Sequence, residues 1–241
     1  MLAPLHVEFV KLKRSLALVV ALLAPGLIAL FTFFNALRMK TPGSWDVWLT
    51  SSAGIWAFFM LPMSVTALTA LVAHMEHGPR TWDHLRALPV PRWRLYAAKA
   101  VGVLALVALM SVAVPTLSWA ALQAGSAIQP GIRPTGVVDW GHQAGVLGRM
   151  YLAALMLIAI QLWVALRFHS FVPALSVGIG GTFFAVVATS AKQGVFLPWQ
   201  MPVNMLASEP WRVQTALGLG CVGGLAVLVL MLVSLSRREV R

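Results

Sequence analysis

Residues His74 to Lys99 read HMEHGPRTWDHLRALPVPRWRLYAAK, a polar stretch between two apolar runs of membrane-crossing length. Arg80, Arg86, Arg92, Arg94 and Lys99 make it basic, and Glu76 and Asp83 are its only acids. Gly78-Pro79 opens a short segment and Pro89-Val90-Pro91 closes it, because glycine and proline punctuate helices. Between these breaks Trp82, Leu85 and Leu88 recur at helical spacing, leaving Asp83, His84 and Arg86 on the other face. A short amphipathic helix slung between two spans has an apolar stripe to bury and no soluble domain nearby to bury it against. It is expected to dock a cytoplasmic partner.

Composition fixes the class. The 241 residues are 59% hydrophobic and only 10% charged, against about 25% charged in soluble domains; mean hydropathy is +0.83. The chain reads as an all-α, polytopic membrane protein. Its formal net charge of +11 would suggest nucleic acid in a soluble protein. Here the basic residues flank apolar runs, which fits lipid headgroups and topology, and no nucleic-acid partner is expected. Cys221 is the one cysteine, so neither an intrachain disulfide nor a cysteine metal site can form.

Six apolar runs are long enough to span, at about 20 residues each: 15–37, 49–73, 97–123, 144–166, 171–191 and 213–236. With the N-terminus inside, 12 of the 18 Lys and Arg fall on the cytoplasmic side and 6 outside. The positive-inside rule then places both termini and the 74–99 loop in the cytoplasm. Before the first run, Leu5, Phe9, Leu12 and Leu16 form a helical stripe, with His6, Glu8, Lys11, Lys13 and Arg14 mostly off it. This is the pattern of an interfacial amphipathic helix; a solvated charge run before the span is the alternative. Outside, Trp45 and Trp48 suit the membrane interface, and the Gly- and Pro-rich 124–145 suits an exposed loop. Lys192 to Arg212 is apolar but broken by Pro198, Pro202 and Pro210. It either dips into the outer leaflet, or packs over the bundle mouth, or anchors its aromatics Phe196, Trp199 and Trp211 in the interface.

Chemistry inside a membrane usually needs ionisable residues within the spans, and none is expected well inside any run. The span polar residues are mild: Ser64, Thr66, Thr69, Ser111, Ser118, Gln161, Ser176 and Thr182. HMEH does not match the His-Glu-x-x-His zinc pattern, and no metal site is expected. No G-x-x-x-x-G-K-[ST] loop occurs, so the chain is not expected to be an enzyme, and ATP-driven work would need another subunit. Gly220 and Gly224, and the cluster Gly178, Gly180 and Gly181, permit close helix approach within the chain or between copies.

Three stretches resemble the permease subunits of type-two ABC exporters, nearest to the small six-span permeases of lantibiotic-immunity and bacitracin-resistance-like systems. They are VEFVKLKRS (7–15), EHGPRTWDHLRALPVPRWRLYAAK (76–99) and FLPWQMP (196–202). The resemblance implies one permease domain over 1–241, in a bacterial inner membrane. It implies a separate cytoplasmic ABC ATPase carrying ATP and Mg, with no cofactor in this chain, and a second permease copy, identical or related. It makes Gly78–Pro91 the coupling helix, with Arg80, Thr81, Trp82, Asp83, Leu85, Arg86 and Leu88 as its ATPase-coupling residues. Glu8, Lys11, Lys13 and Arg14 become the interfacial elbow, and Phe196, Pro198, Trp199 and Pro202 an outer hairpin. The expected cargo is an amphiphile such as an antimicrobial peptide or lipid-like compound. The competing reading is a non-transporting membrane protein, an intramembrane enzyme or assembly factor with a His-bearing cytoplasmic loop.

Overall fold

A computed structural model describes residues 2–13, 15–39, 41–77 and 91–237. The described residues are helical apart from short turns and one isolated bridge, Ser44 to Thr135. α1 (Leu2–Lys13) turns sharply into α2 (Leu16–Arg38) at Ser15. The Ser15 hydroxyl donates to the Leu12 carbonyl at 2.9 Å and accepts from the Ala17 N–H at 3.2 Å, closing α1 and capping α2 with one side chain. α3 (Trp45–Ile55) runs through a π-helical turn, Trp56–Met60, into α4 (Leu61–His77). Pro62 has no N–H to give the preceding turn. The wider turn, in which Leu61 N–H reaches back to the Trp56 carbonyl, lets the helix continue past it.

α5 (Arg92–Ile128) has 37 residues, about 55 Å of helix, well beyond the roughly 30 Å hydrocarbon layer. α6 (Trp140–Ala153) and α7 (Leu155–Arg167) meet at a 40° bend at Ala154. α8 (Val172–Val187) is followed by tight turns to Leu206, then α9 (Pro210–Gly218), a π-helical turn at Leu219–Gly223, and α10 (Gly224–Ser236). Among the described residues four helices are long and apolar enough to cross a membrane, or five if the bent α6–α7 pair is counted as one span. α8, with 16 residues, spans about 24 Å and falls short of the full-length sixth crossing expected over 171–191.

α4, α5 and α7 form the centre. Leu61, Val65, Leu68, Val103, Val107, Met110, Leu157, Ile158 and Leu162 are wholly buried there. α2, α8 and α10 lie outside them and expose apolar side chains such as Leu22, Phe31, Phe184, Leu225 and Val229, a surface suited to lipid. The bend at Ala154 receives Gly220 and Gly224 of the last span. A methyl on Gly220 would collide with the Ala153 backbone, and one on Gly224 would sit 2.6 Å from the Met156 nitrogen. This glycine pair is used within the chain.

Trp45 and Trp48 are not surface anchors. Both are buried with Ala36, Leu122 and Ile132 in a small second core at the end of the bundle away from α1. The 124–145 connection is correspondingly ordered. Thr135 N–H donates to the Gly43 carbonyl at 2.9 Å, and Trp45 N–H to the Thr135 carbonyl at 3.2 Å, tying the two connections at that end together.

Five of the mild polar residues of the spans are hydrogen-bonded within the bundle. Thr66, Thr69, Ser111 and Thr182 each donate to a carbonyl one turn back. Gln161 does more: its amide donates to Thr66 Oγ1 at 3.3 Å and to the Ala174 carbonyl at 2.9 Å, joining α7 to α4 and α8. Gly178 faces these groups with no room for a methyl.

Candidate functional site

The 78–90 segment, which holds Arg80, Thr81, Trp82, Asp83, Leu85, Arg86 and Leu88, lies outside the described residues, as do His84 and Arg14. Its two stems are described, and each carries a buried charge. Glu76 ends α4. Lys99 lies two turns into α5. Both side chains are 1% exposed, and Lys99 Nζ donates to Glu76 Oε1 at 2.8 Å. Lys99 also donates to both oxygens of Glu8 in α1, at 3.1 and 3.0 Å. Lys11 closes the figure, reaching Glu76 Oε1 at 2.7 Å and Glu8 Oε1 at 3.4 Å.

Two carboxylates and two ammonium groups thus alternate around a ring that joins α1, α4 and α5. The arrangement solves a solvation problem. Burying one unpaired charge costs several kcal/mol, and here each buried charge faces two of opposite sign. Lys11 is the ring's outlet to solvent, at 31% side-chain exposure. Its burial pulls the ammonium pKa down, but the hydrogen bond to Glu76 and the charges of Glu8 and Glu76 outweigh this and leave it above the ordinary lysine value.

Lys99 lies at the start of the third apolar run, not well inside it, and its buried ammonium is held by charges that α1 and α4 supply. The polar side of α1 is divided, with His6 exposed and Glu8 buried. Glu8 and Leu12 are buried against α5 and α2, while Val7, Phe9 and Val10 are exposed. Of the elbow residues, Glu8 and Lys11 are in the ring, Lys13 is in α1 with its side chain undescribed, and Arg14 lies outside. The Lys99 signal was present in the sequence, since Lys99 lies beyond the Pro91 break inside AAKAVGVLALV.

Next to the ring, Arg92, Trp93 and Arg94 stand exposed at the start of α5, with the Arg94 guanidinium 5.5 Å from the Trp93 ring centre. His74 is exposed, its ring edge-on to Phe171 at 6.1 Å.

At the opposite end, the proline-broken hairpin is tucked into the bundle. Val195 and Met201 are wholly buried, Pro202 is buried, and Pro198 and Trp199 are half-buried; Phe196 is 58% exposed. Gln200 donates to the Ala185 carbonyl at 2.7 Å and to Thr189 Oγ1 at 2.8 Å, and Asn204 donates to the Gln200 carbonyl at 2.9 Å. The Trp199 indole lies flat over Gly181 of α8, where a methyl would overlap the ring. The hairpin is fastened to α8 by an amide and by a Trp-on-Gly contact.

Comparison with known proteins supplies the family. The model of the ABC-2 family transporter protein matches residues 5–189, from α1 through the end of α8. No curated protein and no solved structure matches the chain. The match covers both stems, the ring and the 78–90 segment, and members of this family are transmembrane transport subunits that work with an ABC ATPase. The chain belongs to the ABC-2 family of transporter proteins, as a multi-pass membrane subunit.

Proposed function

We propose that this chain is the transmembrane subunit of an ATP-driven exporter, coupled to a separate cytoplasmic ATPase through the 78–90 segment and the charge ring above it. The observation that carries this reading is the Glu76–Lys99–Glu8 junction. A helix that receives a push must transmit it, and a loop alone would absorb it. Here both stems of the segment are locked to each other and to α1 by buried charges whose separation costs about 3–5 kcal/mol. Displacement of the segment then moves α4, α5 and α1 together, a rigid-body shift of the kind that converts between discrete packings.

In this reading Trp82, Leu85 and Leu88 are the docking stripe, and Arg80, Thr81, Asp83 and Arg86 its rim. Six crossings place both termini in the cytoplasm of a bacterial inner membrane, the short α8 being completed by the hairpin that follows it. The whole of 1–241 is one permease domain, and two such chains flank the pathway. The cargo is an amphiphile, an antimicrobial peptide or lipid-like compound, as in lantibiotic-immunity and bacitracin-resistance-like permeases. ATP and Mg belong to the ATPase.

Trp82→Asp tests this. Burying a stripe side chain is worth about 1.5–3 kcal/mol and a central Trp at least about 2 kcal/mol. The variant is therefore expected to insert and fold, yet lose co-purification of the ATPase and substrate-stimulated ATP hydrolysis. Normal ATPase binding and turnover in Trp82→Asp would refute the docking role.

A further inference from the structure

α5 and α6 diverge along the half of the bundle away from the charge ring, leaving a groove of about 390 Å³ open to the side. That lies within the range of ligand pockets, about 300–1,000 Å³. Its walls are apolar, from Val112 and Pro115 on α5 to Leu147 and Gly148 on α6. At its floor lies Gln143, 1% exposed. The Gln143 amide nitrogen donates to Asp46 Oδ1 at 3.1 Å and to Thr50 Oγ1 at 3.4 Å. Because a carboxylate only accepts, this fixes the amide orientation. Gln143 Oε1 is then left buried without a hydrogen bond.

The hydroxyls that line the groove donate elsewhere. Ser111 donates to the Val107 carbonyl, Thr116 to carbonyls of its own helix, and Tyr151 to the Leu104 carbonyl. The groove thus pairs an apolar length with an unmet acceptor, and Asp46 behind the amide makes that acceptor more negative. We propose that this groove binds an amphiphile with a single apolar tail and a hydrogen-bond-donating head, a hydroxyl or an amine, whose donor meets Gln143 Oε1. A carboxylate- or sulfate-headed amphiphile, bringing only acceptors toward Gln143 and Asp46, is rejected. A resident bilayer lipid and an exported cargo share this chemistry, and the site stands whether or not the chain exports.

The probe is a diazirine-bearing dodecanol, compared with the matching diazirine dodecanoate, added to the full chain in detergent and mapped by mass spectrometry. Saturable labelling of residues 108–116 and 143–151 by the alcohol is expected, at least about fivefold stronger than by the acid, the value of one hydrogen bond. Gly148→Phe fills the groove, since a side chain begun at Gly148 meets no atom of the protein. It should abolish this labelling, while Gly145→Phe, equally open but off the groove, should not. Gln143→Met should keep labelling but lose the preference for the alcohol; should that variant not fold, the wild-type head preference and Gly148→Phe decide the matter. Lipid analysis separates the sources. About one donor-headed lipid per chain, lost in Gly148→Phe, marks a resident lipid; an empty groove that takes up the probe marks a cargo site. Unsaturable labelling, equal labelling by both heads, or labelling that survives Gly148→Phe overturns the proposal. So does a cross-link between Val112→Cys residues of two copies that shows the groove closed by a second chain.

Discussion

Lys99 Nζ lies 2.8 Å from Glu76 Oε1 with both side chains 1% exposed, so the helices that flank the 78–90 segment are pinned together inside the protein. The pair is also pinned to α1, because Lys99 contacts both oxygens of Glu8. Removing one member of such a set strands the others. Lys99→Met takes from the two buried carboxylates the ammonium they share, and a loss of about 3–5 kcal/mol is expected. Combining Lys99→Met with Glu76→Gln should recover part of that, with a coupling of about 0.5–3 kcal/mol. Thermal unfolding of the purified chain measures both, and wild-type stability of Lys99→Met would show that the ring holds nothing.

The pH dependence of the Lys11 contribution follows from its raised pKa. A lysine favoured as the cation by the fold contributes its full stabilisation below the ordinary lysine value, and loses it as pH rises through the still higher folded value. The stability difference between wild type and Lys11→Met should therefore be flat from about pH 6 to about pH 9. It should shrink only above the ordinary lysine range. A difference that grew or vanished near neutrality would place another titrating group in control.

The crossing helices were legible because burial in lipid demands long uniform apolar runs, and 15–37 and 213–236 became α2 and α9–α10. The ring was not, because linear sequence hides which charges meet. Glu8 and Lys99 are separated by 91 positions and look like headgroup charges when read one at a time. Taken together, Lys99 in an apolar run and Glu8 and Glu76, two of only seven acids, were the signal. Trp45 and Trp48 misled for a related reason: a Trp at a span end anchors in the interface only where no second connection covers it, and Thr135 brings one.

The glycines of α8 give a matched pair. Gly178 touches Thr66 and Gln161 so closely that a methyl cannot fit, whereas Gly180 faces open space. Gly178→Ala should cost about 1–3 kcal/mol by overpacking, and Gly180→Ala should be neutral or slightly stabilising, as alanine is the better helix former. Equal melting temperatures for the two variants would contradict the Thr66–Gln161–Ala174 junction.

Sidedness is tested with single cysteines in a Cys221→Ser background. Gly131 stands beside the buried Ile132 at the end of the bundle away from α1, and a side chain there meets nothing. With 12 of 18 basic residues assigned inside, Gly131→Cys should react with an impermeant maleimide in intact cells. Arg86→Cys should react only after the cells are opened. The reverse order would invert the membrane orientation and place the proposed docking segment out of an ATPase's reach.

Trp199 and Gly181 separate packing from gating. The indole covers Gly181, so the hairpin and α8 are complementary in size: large on one, absent on the other. Trp199→Ala removes a half-buried ring and should destabilise by about 1–3 kcal/mol, less than the 3–5 kcal/mol of a fully buried Trp. Gly181→Leu alone should be as harmful, by collision. The double variant Gly181→Leu/Trp199→Ala returns bulk from the opposite side of the same contact and should recover much of the loss, since neighbouring sites couple. Transport then decides the role. If the hairpin only braces α8, the double variant transports as it unfolds, near wild type. If the hairpin must lift from α8 for cargo to leave, a leucine rooted in α8 cannot substitute for a ring that departs with the hairpin. Stability would then return while export stays impaired, with ATPase binding unchanged in every variant. Loss of ATPase binding in Trp199→Ala would instead make the hairpin a folding element of the whole subunit.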